Sequence, residues 1–158
     1  MSVFASLVVV LLASSGKAEQ AQAVFRDPVV EITMPPGVPL PTATKAADAS
    51  GADYSSETAR GVYRIQYADL PSSDVEKLFS SILGSIRENF SLQSSDRSTH
   101  QGYPSLRMTM SQLNANQVMR MHCIIAGKRL VRVWVIARTE ADLDTPAIRA
   151  FFDSLRIK

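Results

Sequence analysis

The clearest pattern along the chain is a stripe of apolar residues between positions 73 and 90. They recur at intervals of three and four, at Val75, Leu78, Phe79, Ile82, Leu83, Ile86 and Phe90. This spacing is typical of an amphipathic helix whose apolar side lies on a core. Ser73, followed three residues later by Glu76, predicts a capping box at the start of this helix.

Strand patterns occupy much of the remaining chain. Alternating or β-branched segments are found at 29–34, 62–68, 106–110, 118–126 and 130–137. Asn114-Ala115-Asn116 and Gly127-Lys128 predict short turns between the last three segments, which therefore pair antiparallel. The last two segments are apolar at both parities, so each face of the sheet needs cover.

A loop and a second helix complete the predicted elements. Positions 35–58, rich in Pro, Ala and Thr, predict a long loop with at most a short edge strand near 42–45. The polar segment 94–102 predicts a loop or a weak strand. Thr145 followed by Pro146 predicts a helix start, because proline is tolerated at the first helical position. The expected class is α+β, with a central antiparallel sheet covered by the two helices.

Length and net charge exclude few classes of protein or partner. The chain has 158 residues, of which 46% are hydrophobic and 20% charged, as expected for one globular domain. A net charge of +2 demands neither a nucleic acid nor a membrane as partner. The charges are unevenly placed, however. No acidic residue lies between Asp96 and Glu140, whereas basic residues occur there repeatedly.

The first residues predict an export signal. Positions 3–13 form an apolar run broken only by Ser6; as a helix it spans roughly 16 Å, too short for a bilayer core of ~30 Å. Ala21-Gln22-Ala23 fits an A-x-A cleavage site, and Ala18 ends an earlier candidate. No Lys or Arg precedes the run, and a buried N-terminal helix or strand is the alternative. We expect 1–23 to be a signal peptide and 24–158 a single periplasmic or secreted domain without a transmembrane segment.

Candidate catalytic residues are few. The only histidines are His100 and His122, and no G-x-S-x-G motif is present. His122 adjoins Cys123, but neighbours on a strand point to opposite faces and cannot pair. We expect His122 to be half-buried, His100 to be solvated, and the single cysteine to be a buried apolar residue. The dispersed His, Cys and acidic residues predict no catalytic site, no metal and no cofactor.

Five residues are candidates for contacting a partner. Arg107, Arg120 and Arg132 lie on three successive predicted strands, and the hairpin register decides whether they share one face. Alternatively, they are solvated residues paired with acids from elsewhere. Tyr103 and Trp134 are candidate anchors because aromatic residues dominate interface hot spots, although a core position is the alternative for Trp134. The expected partner is an unknown protein or an anionic envelope surface, and export argues against nucleic acid.

The C-terminal third carries motifs that resemble a known fold group. They are Gly102-Tyr103-Pro104, Gly127-Lys128-Arg129-Leu130 and Phe151-Phe152-Asp153-Ser154-Leu155, preceded by Val30-Glu31-Ile32-Thr33-Met34-Pro35. This order, over about 25–158, resembles small exported bacterial proteins of the PsbP, Mog and DcrB group. Ser105, Val131 and Leu155 depart from the group's usual Gly, aromatic and Phe. The resemblance implies an α/β sandwich with a central antiparallel sheet, and it implies little about activity, because members of the group are mostly non-enzymatic binding or assembly factors.

Three functions follow as hypotheses. The first is a non-enzymatic, exported binding or assembly module. The second is a carrier that holds a small apolar ligand in a helix–sheet pocket lined by Met108, Met110, Met119 and Met121, since methionines adapt to varied ligands. The third is an unrecognised hydrolase, which a pocket joining His100 or His122 to a carboxylate would favour. The sequence identifies neither the partner nor the oligomeric state.

Overall fold

Ten strands and three helices make up the part of the chain that a computed structural model describes, residues 22–48, 50–113 and 115–158. In order they are β1 (Val24–Arg26), β2 (Val30–Thr33), β3 (Thr42–Asp48), β4 (Gly51–Thr58), β5 (Gly61–Asp69), α1 (Val75–Asn89), β6 (Phe90–His100), β7 (Tyr103–Gln112), β8 (Val118–Ala126), β9 (Arg129–Ala137), α2 (Glu140–Leu143), α3 (Pro146–Asp153) and β10 (Arg156–Ile157). All but the last two positions of the predicted signal peptide, 1–23, lie outside the described residues.

The strands form two antiparallel sheets. The larger has seven strands in the order β3-β4-β5-β9-β8-β7-β6, and the smaller has three in the order β1-β2-β10. Strands β6, β7, β8 and β9 pair successively, each with the next along the chain, as short connections require. The predicted α+β class with a large antiparallel sheet is confirmed.

Apolar side chains are buried on both faces of the seven-stranded sheet. On what we call the α3 face, Val131, Val133 and Val135 of β9 cluster with Phe151 of α3 and Ile32 of the small sheet. On the opposite α1 face, Met121, Cys123 and Trp134 cluster with Phe79 and Ile86 of α1. The two parities of β9 thus point into different clusters, which explains why its sequence is apolar at consecutive positions.

Two segments form strands because pairing outweighs local propensity; for 94–102 this is the weak-strand alternative of the prediction, and for 35–58 it goes beyond the prediction. Positions 35–58, predicted as a loop with at most a short edge strand near 42–45, contain β3 at the sheet edge and also β4, which pairs with β5 in unbroken register from Gly51↔Ala68 to Thr58↔Gly61. The segment 94–102 lies mostly in β6, which pairs along its length with β7. Both segments contain several Ser, Asp and Thr residues, and the first is also rich in Ala. Strand propensity reflects packing against neighbours as much as the residue itself, so these residues form strands once a partner is present.

The structure corrects the predicted cap of α1 and confirms the predicted cap of α3. Asp74, not Ser73, caps α1, and its carboxylate accepts a hydrogen bond from the Lys77 backbone N–H at 3.1 Å. Thr145 caps α3 as predicted, with its hydroxyl accepting from the Ile148 N–H at 3.3 Å. The tight turn between β8 and β9 is also found, and Gly127 there has φ +64°, a conformation that favours glycine.

Candidate functional site

Hairpin register decides which of the predicted arginines share a face. Arg107 on β7 lies opposite His122 on β8, and Arg120 lies opposite Thr109 two residues further along each strand. Side chains two positions apart on a strand point the same way, so Arg107, Arg120 and His122 share the α3 face. Arg132 lies opposite Cys123, on the α1 face. The structure therefore brings two of the three arginines together and separates the third.

These residues line a cavity between the β6–β8 part of the sheet and α3. The cavity has a volume of about 350 Å³. Its charged and aromatic lining comes from three strands and one helix, and includes Asp96, Arg107, Arg120, His122, Arg149, Phe152 and Asp153. Because three guanidinium groups meet two carboxylates in its wall, we call it the cationic cavity.

His122 is the most unusual residue of the cationic cavity. It is only 1% exposed, and within the described chain neither ring nitrogen has a hydrogen-bond partner. Burial, with the charges of Arg107 and His100, lowers the pKa of His122 to about 3. The ring is therefore neutral at physiological pH and offers one N–H donor and one acceptor. Such an unpaired buried group costs on the order of 1–3 kcal/mol, so it requires an explanation.

His100 is held in place and is not simply solvated as the sequence suggested. Its Nε2 lies 2.8 Å from the Leu155 carbonyl oxygen, and since a carbonyl only accepts, Nε2 donates. Its ring meets that of His122 edge-on, with the centroids 5.1 Å apart. His122 is likewise more buried than expected. Because His100 is committed to Leu155 through Nε2, that nitrogen is not a partner for His122.

The arginines of the cavity retain much of their hydrogen-bonding capacity. Arg120 donates from Nη1 to the Leu143 carbonyl oxygen at 3.0 Å and makes no ion pair with any described residue. The Nη2 of Arg107 lies 3.9 Å from Oδ1 of Asp153. Both of those side chains are at least half exposed, so this pair contributes little. Arg149 pairs with Asp144 at 2.7 Å. Each guanidinium carries five N–H donors, so Arg107 and Arg120 can each bind a further acceptor.

This arrangement is suited to holding an anion more than to general acid–base or nucleophilic chemistry. Asp96 and Asp153 share the cavity with His122, yet neither forms a hydrogen bond with its ring. A nucleophile–base pair with an orienting acid requires such bonds. Cys123 points to the other face, and burial raises the pKa of its thiol to about 12. The described residues also include no group of three His, Cys, Asp or Glu side chains able to hold a metal.

Comparisons with known proteins identify the fold. No family model and no curated protein matches the sequence. Among solved structures, the cyanobacterial PsbP (CyanoP) of Synechocystis sp. PCC 6803 matches with a TM-score of 0.61 and 14% identity, over 93% of this chain and 99% of that one. The chain has a PsbP-like fold. A Pseudomonas aeruginosa protein of unknown function, PA94, matches with a TM-score of 0.47 and 12% identity, over 77% of this chain and 85% of its own.

The PsbP-like fold confirms the resemblance inferred from the motifs. At 14% identity the likeness concerns architecture alone, so any function must be argued from the residues of the site. In the described ranges, no helix of this PsbP-like chain has the length and apolarity needed to cross a bilayer.

The remaining predicted contact residues lie apart from the cationic cavity. Trp134 lies on the α1 face and is 7% exposed. The guanidinium carbons of Arg64 and Arg132 lie 5.0 Å and 5.8 Å from the centroid of its ring. Arg132 also donates to Gln66. Tyr103, at the start of β7, is 38% exposed and does not line the cationic cavity. The five candidates therefore occupy three different places on this PsbP-like chain.

Sequence reasoning missed two parts of the cavity. Arg149 and Asp153 stand four residues apart on α3, a spacing that places them on one side of a helix, but nothing in the sequence indicates what that side faces. The importance of His122 was also missed. A usable signal was present on β7, where polar residues occupy every second position from Ser105 to Ser111, on the strand that pairs with the one carrying Arg120 and His122.

Proposed function

We propose that this PsbP-like chain is a non-enzymatic binding or assembly module outside the cytosol, and that its cationic cavity recognises an acidic partner. One observation carries the proposal. Arg107 and Arg120 line the same cavity as the buried His122, whose ring has no hydrogen-bond partner among the described residues. The fold leaves the imidazole unpaired and gives the guanidinium of Arg120 one carbonyl, that of Leu143, and no carboxylate in the described chain. A ligand with negative charge would give both the N–H of the imidazole and the guanidinium an acceptor.

The positions of the charges fit recognition at a surface. Arg107 and Arg149 are about half exposed, so they can attract an approaching acidic group through long-range electrostatics. Arg120 and His122 lie deeper, where hydrogen bonds to a charged acceptor gain strength from the lower local dielectric. The partner class that this chemistry fits is an acidic protein segment or an anionic envelope surface.

The proposed architecture is that of an α/β/α sandwich in which α1 and α3 cover opposite faces of the seven-stranded sheet. The separate clusters of Phe79 with Met121 and of Phe151 with Val133 support this arrangement. In it, the α3 face is packed with apolar residues along β5 and β9. The same face turns polar along β7, and the cationic cavity lies over this polar part.

The proposed export carries a constraint from the fold. The Ala23 carbonyl accepts a hydrogen bond from the Met34 backbone N–H at 2.7 Å, and Ala23 packs against the core. Cleavage after Ala23 removes this bond, whereas cleavage after Ala18 keeps it. Between the two candidate sites, the earlier one therefore leaves the folded domain intact.

Charge reversal at the cavity tests the proposed function. The double variant Arg107→Glu/Arg120→Glu should retain at least tenfold less of its envelope partner than the wild type, since truncating close interfacial charge contacts costs about 2–5 kcal/mol. The measurement is quantitative capture from an envelope fraction on immobilised protein, followed by mass spectrometry. The matched control is Arg132→Glu, which makes the same change on the opposite face and should leave capture unaltered.

Two outcomes count against this function. One is equal capture by the wild type and the double variant. The other is loss of capture in Arg132→Glu alone, which would move the contact surface to the α1 face. Circular dichroism of all three proteins verifies that each variant is folded before capture is compared.

A second candidate function rests on a groove of the α1 face. Met110, Met119, Met121 and Trp134 line a cavity of about 390 Å³ beside Ile86 near the end of α1. Methionine side chains repack easily around varied apolar groups, as a carrier of a small apolar ligand requires. The methionines are at most 9% exposed, so they form the floor of the groove.

The single tryptophan reports directly on this alternative. If the groove holds a ligand, a medium-chain alcohol should shift the emission maximum of Trp134 in a saturable way, because the ring lines the groove. Met119→Glu should abolish that shift, since a charge would then line the apolar wall. A linear, unsaturable response in the wild type would rule out the carrier.

A further inference from the structure

We propose that the cationic cavity binds a single oxyanion group, a carboxylate or a phosphate, with His122 donating a neutral hydrogen bond and Arg107 and Arg120 supplying charged ones. The inference rests on the proposed function and deepens it by naming the chemical group that enters the cavity. That group either belongs to a small free anion or is carried on a segment of the acidic partner.

The missing hydrogen-bond partner of His122 is the first observation that favours a bound oxyanion. Buried polar side chains almost always have a hydrogen-bond partner, yet both ring nitrogens of His122 lack one among the described residues. The neighbouring His100 meets the ring edge-on and uses its own Nε2 on the Leu155 carbonyl. His122 lines the cationic cavity, so an acceptor bound there becomes its partner once a side chain of the cavity wall shifts and opens the enclosed ring nitrogens.

The positive charge of the cavity favours an anion over water as the group that binds there. Water would satisfy the His122 ring but would leave two guanidinium groups facing the same space. In cross-strand register, Arg107 is directly opposite His122 and Arg120 is two residues from it. Side chains in these positions come within about 5–8 Å of one another. An oxyanion between them relieves the repulsion of like charges and accepts from all three groups.

The size of the cavity and the carboxylates in its wall limit the group that can bind. A volume of about 350 Å³ lies at the small end of the range for ligand sites, enough for one acidic group with little attached to it. Asp153 is loosely paired with Arg107 at 3.9 Å, so an incoming oxyanion can replace it. A dianion gains more from this site than a monoanion does, and phosphate should therefore bind more tightly than acetate.

Calorimetric titration tests the proposal with defined probes. The wild-type chain should bind inorganic phosphate saturably at low salt, and acetate more weakly. Arg107→Gln and Arg120→Gln should each weaken phosphate binding about tenfold or more, the usual effect of losing a charged hydrogen bond. Arg132→Gln, on the opposite face, should bind like the wild type. Thermal melts of each variant separate a lost contact from a lost fold.

The Arg107 variant is less prone to unfold than the Arg120 variant. Substitution of Arg107 removes only a long, exposed ion pair with Asp153.

A second arm distinguishes the source of the oxyanion. A peptide ending in consecutive glutamates is titrated against the same proteins. Tighter binding of the peptide than of phosphate assigns the group to a partner segment, and the reverse order assigns it to a free anion. Absence of a binding isotherm for every probe at about 10 mM, or equal binding by all variants, overturns the proposal.

The outcomes separate this inference from the function on which it rests. Phosphate binding that Arg107→Gln weakens, together with envelope capture that charge reversal leaves unchanged, would retain the oxyanion site and reject the acidic partner. Loss of capture in Arg107→Glu/Arg120→Glu without binding of any oxyanion would do the opposite.

Discussion

Replacing His122 with leucine should stabilise the protein while weakening oxyanion binding. The substitution removes two buried ring nitrogens that have no hydrogen-bond partner in the described chain. Because leucine fills a similar volume without polar atoms, we expect a gain of about 1–3 kcal/mol in the free energy of unfolding at neutral pH. A residue that lowers the stability of the fold in this way is typical of a functional site.

The gain should grow in acid. The pKa of His122 is about 3 in the folded protein, whereas an unfolded histidine titrates near ~6.5. Between these values the unfolded state holds the proton more tightly, so wild-type stability falls as the pH drops below about 6.5. The leucine variant lacks this proton linkage, and its advantage should increase by about 3 kcal/mol between about pH 7 and pH 4.

Urea unfolding at both pH values measures the effect, with His100→Leu as the matched control. His100 donates to the Leu155 carbonyl, so its loss leaves a carbonyl without its partner and should destabilise the fold. If His122→Leu destabilises the protein at neutral pH as much as His100→Leu does, His122 has a structural partner and the argument for a ligand there fails.

Phe151→Ala should cost about 3–5 kcal/mol of unfolding free energy, the usual range for removing a buried aromatic ring. Phe151 is 1% exposed and meets Tyr63 and Phe152 edge-on, with ring centroids 5.4 Å and 5.3 Å apart. The same helix carries Arg149 and Asp153 into the cavity wall, so loosening it should also weaken oxyanion binding. Denaturant unfolding measures the first effect, and phosphate calorimetry measures the second.

Controls on the same helix separate packing from charge. Phe151→Leu retains most of the buried volume and should cost clearly less than the alanine variant. Arg149→Gln lies at the surface and should leave stability nearly unchanged. If Phe151→Ala unfolds at the wild-type urea midpoint, α3 does not depend on the cluster described for the α3 face.

Elements with a strong period were predictable from the sequence, and those with weak local propensity were not. The α1 helix follows from its apolar stripe, and β8 and β9 follow from apolar runs joined at Gly127. The strands β3, β4 and β6 were assigned to loops or left uncertain, because Ala, Ser and Asp are weak strand formers in isolation. They form strands because they pair with neighbours such as β5 and β7. A local sequence pattern does not contain the residues of those neighbouring strands.

The candidate site was only partly predictable for the same reason. Charge asymmetry identified Arg107 and Arg120, but hairpin register, which no local pattern fixes, separates them from Arg132. The His122 ring meets that of His100, which lies on a different strand, and His100 gains its partner from Leu155 at the far end of the chain. Both histidines were therefore expected to be more exposed than they are.

The central claim is that His122 binds an oxyanion inside the cationic cavity. It is tested most directly by nitrogen NMR of the histidine rings during a phosphate titration. We expect the ring-nitrogen resonances of His122 to shift saturably and its pKa to rise, because a bound negative charge favours the imidazolium. The shift should persist in Arg132→Gln and largely disappear in Arg120→Gln. Ring resonances of His122 that stay unchanged up to saturating phosphate, in a protein with an intact fold, would contradict the account.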